Sequence, residues 1–323
     1  MNKVFKLQFL LTAISLGMLP CSCVHKVEKE IVVQAHRGGA ALYPENSIPA
    51  MINAVKMGMR TLELDLQITR DSQVVVSHDS YMNSMKVLFP NGKRIPEDIE
   101  RSLKIFSLDY DSISKFDIGS LENPLYPRRK NLKCAVPKLT NLIDCIEAYT
   151  YSNGYAPVNY NIEIKSAAYK DGISTPYYQT FCDLSMQVLL EKNLKERLCI
   201  QSFDSRSLNY IHRKYPHIQL SYLVESREYS VKDFLKQLEF VPQIISPDFH
   251  IVDKKFVSDA HDFAMKVIPW TVDDKDEVLR LKRIGVDEII TNQPDSVQSW
   301  LEKDNINIEY KKAVSFFETL MGF

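Results

Sequence analysis

Residues 35–79 read AHRGGAALYPENSIPAMINAVKMGMRTLELDLQITRDSQVVVSHD. Between residues 48 and 59 the apolar side chains recur every three to four positions, which predicts a helix. Residues 61–66 alternate polar and aliphatic side chains with a period of two, which predicts a strand. The apolar run Val32–Ala35 comes just before this stretch and predicts another buried strand, and a third apolar run at residues 74–78 predicts a strand that ends at His78. A strand, a helix and a strand in succession indicate a parallel sheet.

The remainder of the chain continues this alternation of strands and helices. The predicted strands cover residues 32–35, 61–66, 160–164, 197–201, 218–224, 244–248, 267–272 and 286–291. Helical spacing separates them, Pro294 opens a last helix, and residues 311–320 are a candidate for an additional one. Eight strands alternating with helices predict an α/β fold of the (β/α)8 type, a TIM barrel, within a single domain at residues 24–323.

Closely spaced carboxylates mark the second predicted strand. Because side chains alternate in a strand, Glu63 and Asp65 point to the same face about 7 Å apart, and the leucines point to the other face. Two such charges repel each other unless a positive group lies between them, and a hard divalent cation bound through oxygen meets that need. The alternative is an edge strand with a solvated acidic face. Glu163 and Lys165 share a face of the next barrel strand, where the alternative is a structural ion pair.

Composition narrows the class of protein. The chain has 323 residues, of which 45% are hydrophobic and 25% charged, with a net charge of −1. This is enough to bury a large core, either as one barrel or as two domains. No basic excess indicates nucleic-acid binding, although a local phosphate pocket would not show in the totals.

Residues 1–23 have the pattern of a targeting leader. Two lysines precede an apolar run at residues 9–19, which is too short to span a membrane comfortably and has the order typical of a secretory signal. The run ends at Pro20-Cys21-Ser22-Cys23, which resembles a bacterial lipoprotein processing site. Cys23 is the favoured lipidation site, and Cys21 or ordinary signal cleavage are the alternatives. We therefore expect an exported protein of the periplasm or cell envelope that contacts the membrane only through a lipid anchor.

Four cysteines remain beyond the leader, and their spacing matches no C-x-x-C metal pattern. They are Cys134, Cys145, Cys182 and Cys199. Export would permit disulfides, but Cys199 lies in an apolar strand and Cys182 in a helical segment, where buried thiols are common. The prediction is therefore four structural thiols.

An ordered set of short motifs gives residues 35–79 a resemblance to the glycerophosphodiester phosphodiesterase family. The motifs are HRG at 36–38, PEN at 44–46, E-L-D at 63–65, T-x-D at 69–71 and HD at 78–79. The likeness continues to about residue 298. It implies a TIM barrel with an insertion after the second strand, at about residues 80–136. This insertion either shapes the mouth of the site or is a surface excursion without substrate contact.

The resemblance also implies roles for residues at the carboxyl ends of the strands, where TIM-barrel sites lie. Glu63, Asp65 and Glu163 would hold a divalent cation (Ca²⁺, Mg²⁺ or Mn²⁺), and His36 and His78 would be the acid/base pair. Arg37, Lys165, Gln201 and Trp270 would bind substrate, while Glu45 and Asn46 would support the site, with the PEN motif also capping the following helix. Asn292-Gln293-Pro294 departs from the family pattern and is expected to lie away from these residues.

The reaction implied by the resemblance is metal-dependent hydrolysis of a glycerophosphodiester to sn-glycerol 3-phosphate and an alcohol. One alternative is a phospholipase D-like or lysophospholipase D-like enzyme acting on a lipid-tailed diester. Another is a catalytically silent barrel that binds phosphorylated ligands. The expected partner is a small-molecule substrate rather than nucleic acid, and the sequence predicts no oligomeric state.

Overall fold

A parallel barrel forms the framework of the structure, a computed structural model that describes residues 30–321. Within that range the strands are β1 (Val32–Ala35), β2 (Thr61–Ile68), β3 (Val74–Val76), β4 (Asn159–Ile164), β5 (Leu198–Ser202), β6 (Gln219–Val224), β7 (Ile244–Pro247), β8 (Lys266–Val267) and β9 (Glu288–Thr291). Eight of them pair in parallel in the order β8-β7-β6-β5-β4-β2-β1-β9. The predicted leader and its Cys23 lie outside the described residues.

Backbone hydrogen bonds draw the two ends of this sheet together. The amides of Asp287 and Ile290 donate to the carbonyls of Val267 and Pro269, and the amide of Val272 donates back to Ile290, each over 3.0 Å. The predicted TIM barrel is therefore confirmed as a nearly closed barrel of eight parallel strands.

Helices connect the strands. They are α1 (Ile48–Lys56), α2 (Glu97–Glu100), α3 (Tyr110–Ile113), α4 (Leu139–Ser152), α5 (Tyr178–Glu191), α6 (Ser205–Lys214), α7 (Val231–Leu235), α8 (Lys254–Asp262), α9 (Lys275–Ile284) and α10 (Pro294–Met321). The last of these runs without a break through residues 311–320, so the additional helix predicted there is the end of α10. In the part of the chain that the structure describes, no helix combines the length and apolar character needed to cross a bilayer.

Strand parity decides which side chains enter the core between barrel and helices. Leu62, Leu64 and Leu66 of β2 are fully buried in the main hydrophobic cluster, to which α1 and α4 also contribute. Glu63 and Asp65 therefore point to the opposite face, the interior of the barrel. Apolar burial on one face holds the two carboxylates in place on the other.

Two predicted strands differ from the structure. The apolar run that ends at His78 becomes the short strand β3, which pairs antiparallel with β2 and lies off the barrel path. His78 thus follows a side hairpin and does not end a barrel strand. The seventh barrel strand, predicted at residues 267–272, ends at Val267. Pro269 has no amide hydrogen to donate, which interrupts the regular ladder before Trp270.

The insertion at residues 80–136 has a small core of its own. Its buried side chains include Met82, Ile105 and Ile113, and they pack with Val75 of β3 and with Val136. The segment is therefore a folded cap built on the β2–β3 hairpin.

The four described cysteines are free thiols. Cys182 and Cys199 are buried, in agreement with a structural role, and Cys134 is half-buried. The same prediction is wrong for Cys145, because its side chain lies on the solvent-facing side of α4.

Candidate active site

Three carboxylates meet inside the barrel. Glu63 and Asp65 lie on β2 and Glu163 on β4, and the β2–β4 register places Asp65 directly beside Glu163. One oxygen from each of the three lies within 4.8 Å of the others. Their exposed fractions are 1%, 0% and 7%, so little solvent separates the charges.

Burial shifts the acidities of this cluster. Burial raises the pKa of Glu63 well above its ordinary value, with Asp65 adding to the shift. It also raises the pKa of Glu163 to about 7, again with a contribution from Asp65 and against the effect of Lys165. Burial alone would raise the pKa of Asp65 as well, but Lys165 and Arg37 hold it well below its ordinary value. The three groups need a proton or a cation to be stable together.

Arg37 and Lys165 bring positive charge to this cluster. The Arg37 amide donates to Glu63 Oε2 over 2.8 Å, and Arg37 Nε lies 3.2 Å from Asp65 Oδ2. Lys165 Nζ lies 3.0 Å from Glu163 Oε1 and 3.5 Å from Asp65 Oδ1. The two cations predicted to bind phosphate therefore sit beside the predicted metal ligands.

A tight turn after β1 places Arg37 here. Residues His36–Gly38 form a single 3-10 turn, in which Arg37 has φ 52° and Gly38 has φ 82°. A side chain at Gly38 would place its Cβ 2.9 Å from the Ala50 backbone. Because Gly38 has no side chain, the HRG turn can pack directly on α1.

The cluster fits a divalent cation. Asp65 Oδ1 is buried and receives no hydrogen bond from any described residue. If ionised, the carboxylates of the acidic cluster and its connected ion pairs exceed their cationic partners by two charges: Glu45, Glu63, Asp65, Asp79 and Glu163 against Arg37, Lys86 and Lys165. Oxygen donors from carboxylates are the ligands that Ca²⁺, Mg²⁺ and Mn²⁺ prefer.

His36 lies against this cluster. Its Nε2 is 3.9 Å from Glu63 Oε2, and its Nδ1 is 2.7 Å from Asn292 Oδ1. Burial, and after it the neighbouring Arg37 cation, lower the pKa of His36 to about 3. The expectation that Asn292 lies away from the site is wrong, because barrel closure brings the end of β9 next to β1.

His78 is linked to the insertion by a chain of ion pairs. Its Nδ1 lies 3.1 Å from Asp79 Oδ1. Lys86 Nζ, from the insertion, lies 3.1 Å from Asp79 Oδ2 and 2.8 Å from Glu45 Oε1, and Glu45 Oε2 is in turn 3.2 Å from Arg37. The insertion therefore places a charged side chain against Glu45 and Asp79 beside the site, which favours the first of the two alternatives that the sequence left open.

Asn46 of the PEN motif forms hydrogen bonds with Asp65. Asn46 Nδ2 donates to Asp65 Oδ2 over 2.8 Å, and the Asp65 amide donates to Asn46 Oδ1 over 3.2 Å. The helix cap predicted for this motif lies one residue later: Ser47 Oγ accepts from the Ala50 amide at the start of α1. Asn46 therefore fixes the side chain of Asp65, and Ser47 caps helix α1.

A cleft of about 400 Å³ opens onto these groups. Gln201 and Trp270, predicted to bind substrate, both line it, and Gln201 Nε2 also donates to Glu63 Oε1 over 2.8 Å. Trp270 is anchored through Nε1 to the Ser246 carbonyl at 2.8 Å, and Phe203 packs edge-on against its ring. The lining of the cleft therefore combines charged side chains with an aromatic surface formed by Trp270 and Phe203.

The sequence patterns assigned no role in the site to Asp79, Lys86, Asp273 or Asn292. Asp79 had a signal, because it is the second residue of the HD motif. Lys86 had none, since the insertion shows no regular spacing. Asp273 and Asn292 come together only through tertiary contacts between the β8–α9 and β9–α10 loops.

Comparisons with known proteins give matches over most of the chain. The sequence model of the Glycerophosphoryl diester phosphodiesterase family matches residues 36–296. A curated glycerophosphodiester phosphodiesterase from Caldanaerobacter subterraneus subsp. tengcongensis is 28% identical over 272 residues, which cover 84% of this chain and 98% of the relative. The human lysophospholipase D GDPD1 is 58% identical over 45 residues, or 14% of each chain.

A solved structure matches over most of the barrel. It is a crystal structure of a protein assigned as a glycerophosphoryl diester phosphodiesterase, from Silicibacter pomeroyi DSS-3. The alignment has a TM-score of 0.76 and 25% identity, and it covers 85% of this chain and 94% of that one. The similarity thus extends across the strands that carry the site.

Proposed function

The chain belongs to the glycerophosphoryl diester phosphodiesterase family, as its short motifs predicted, and we propose that it hydrolyses glycerophosphodiesters to sn-glycerol 3-phosphate and an alcohol. The chain is an enzyme, a phosphoric diester hydrolase. The observation that best supports the full reaction is the buried cluster of Glu63, Asp65 and Glu163 beside a cleft that His36 and His78 line.

Charge neutralisation is the first requirement of this reaction, because negative charge builds on the phosphoryl oxygens as the diester is attacked. A divalent cation held by Glu63, Asp65 and Glu163 would supply Lewis-acid stabilisation of those oxygens. Arg37 and Lys165 lie at the same end of the barrel and would bind the phosphate through their side chains. Their existing bonds to the carboxylates keep both cations fixed before substrate arrives.

Proton transfer is the second requirement. One group must take a proton from the attacking water and another must give one to the departing alkoxide. His36 and His78 line the same cleft, and a histidine can serve in either direction near neutral pH. Burial and the neighbouring Arg37 lower the pKa of His36 and keep its ring neutral, and His78 Nδ1 lies 3.1 Å from Asp79 Oδ1.

The aromatic surface suits the carbon part of the substrate. Trp270 and Phe203 present apolar ring surface to the cleft, and such surface packs well against the carbons of a glycerol or alcohol group. Trp270 is therefore proposed to position the glycerol or alcohol group of the substrate, while the charged side chains hold the phosphate.

The substrate class can be tested by comparing glycerophosphocholine with lysophosphatidylcholine. We expect release of sn-glycerol 3-phosphate from glycerophosphocholine, because the chain matches the glycerophosphoryl diester phosphodiesterase family model and a glycerophosphodiester phosphodiesterase over most of its length. The local match to a human lysophospholipase D supports the second candidate, cleavage of a lipid-tailed diester. Faster release of choline from lysophosphatidylcholine would favour that candidate, and binding without turnover of either compound would indicate a silent barrel.

Export and lipidation are proposed from the leader alone. Basic, apolar and small-residue regions follow one another and end at Cys23, which predicts cleavage before that cysteine and attachment of lipid to it. Intact-mass analysis of protein purified from its native host should show an acylated chain that starts at Cys23. A chain that starts at Met1 without an acyl group would contradict this proposal, and an unmodified shorter chain would indicate ordinary signal cleavage.

A further inference from the structure

A hydrogen-bonded relay lies behind His36, on the side away from the carboxylate cluster. Asn292 Oδ1 is 2.7 Å from His36 Nδ1, and Asn292 Nδ2 donates to Asp273 Oδ2 over 2.7 Å. Asp273 is held in turn by its other oxygen, Oδ1, which accepts from the Asn292 amide and from Thr291 Oγ1, both over 2.8 Å. Asp273 itself does not line the cleft.

Asp273 determines which way the Asn292 side chain points. A carboxylate only accepts hydrogen bonds, so the group that faces it must be the NH₂ of the Asn292 amide. In the flipped orientation two acceptor oxygens would face each other at 2.7 Å, which is repulsive. The amide oxygen must therefore face His36.

The orientation of Asn292 then determines where His36 carries its hydrogen. An amide oxygen accepts and cannot donate, so His36 Nδ1 must be the donor in the 2.7 Å contact. In the neutral ring this leaves Nε2 without hydrogen, and Nε2 is the atom that faces Glu63 across 3.9 Å.

We propose that Asn292 and Asp273 are positioning residues that hold His36 in the tautomer with hydrogen on Nδ1, so that Nε2 is the atom that exchanges a proton during hydrolysis. This inference rests on the proposed function for its catalytic consequence, but the tautomer itself is a property of the unliganded protein. Neither residue was singled out by the motifs in residues 35–79.

Asp273→Asn is the direct test. The new amide keeps its oxygen toward Thr291 and the residue-292 amide, so it turns its NH₂ toward the Asn292 side chain. Asn292 then has to flip and present its own NH₂ to His36, which forces the hydrogen from Nδ1 to Nε2. We expect kcat to fall about 10- to 100-fold, as is typical when a partner behind a functional group is lost, with little change in KM because neither Asp273 nor Asn292 is among the residues that line the cleft.

The double variant Asp273→Asn/Asn292→Asp is expected to rescue the enzyme. A carboxylate at position 292 accepts from His36 Nδ1 on one side and from the amide at position 273 on the other. The relay is thereby restored with the amide and carboxylate exchanged. Gln293→Leu is the matched control: it removes the 2.7 Å bond from Gln293 Nε2 to the Asp273 carbonyl and leaves the carboxylate in place, so tautomer and kcat should be unchanged.

Nitrogen NMR of ¹⁵N-histidine-labelled protein reads the tautomer directly, with His36 assigned by comparison with His36→Gln. Hydrogen on Nδ1 in the wild type and double variant, and on Nε2 in Asp273→Asn, supports the relay even if the substrate differs from the proposed one. An unchanged tautomer in Asp273→Asn, or loss of kcat that the double variant does not recover, overturns it. If Asp273→Asn does not fold, the double variant decides: it must fold, keep hydrogen on Nδ1 and retain most of the wild-type kcat, and failure on any count overturns the relay.

Discussion

His36→Ala and His78→Ala are each expected to lower kcat by about 10²- to 10⁴-fold, the usual cost of losing a general acid or base. Both side chains line the cleft and neither belongs to the hydrophobic clusters that hold the barrel and the insertion together. The variants should therefore remain folded, and the loss should appear in kcat with little change in Tm.

The control for this prediction is His217→Ala, which removes an exposed histidine outside the cleft and should change neither kcat nor Tm. Measurement of kcat and Tm for the three variants separates chemistry from folding. Near-normal turnover in either cleft variant would contradict the acid/base assignment, as would activity lost only in proportion to unfolding.

The fold could be predicted from the sequence because its signals are local and periodic. In β2 the leucines alternate with Glu63 and Asp65, and that parity alone indicates which face is buried and which carries charge. The helical spacing in α1 and the return of apolar runs at regular intervals predict the barrel in the same way. The direction and length of single strands depend on other factors, as β3 and the Pro269 interruption show.

The candidate site was less predictable because part of it is assembled over long distances. His36 and Asn292 are 256 positions apart and meet only when β9 pairs with β1. Lys86 reaches Glu45 and Asp79 from an insertion whose sequence has no regular spacing. Local patterns indicate which residues have suitable chemistry, but barrel closure and the packing of the insertion decide which of them become neighbours.

Glu63→Gln should abolish cation binding and lower kcat more than about 100-fold, beyond the 10- to 100-fold typical for a partner that only supports a ligand. The substitution keeps the size of the side chain but removes a charge from a cluster in which Asp65 Oδ1 receives no hydrogen bond from the residues that the structure describes. Glu302→Gln removes an exposed carboxylate on α10 and is the matched control, with metal content and kcat expected to stay at the wild-type level. A Glu63→Gln protein that binds metal and turns over normally would remove Glu63 from the ligand set.

Release of sn-glycerol 3-phosphate from glycerophosphocholine by the chelated enzyme, followed by titration with Ca²⁺, Mg²⁺ or Mn²⁺, is the decisive measurement. The buried cluster of Glu63, Asp65 and Glu163 predicts no turnover in excess EDTA and recovery of turnover as one of these cations binds. Full turnover in excess EDTA, with no metal retained in the protein by elemental analysis, would contradict metal-dependent hydrolysis at this site.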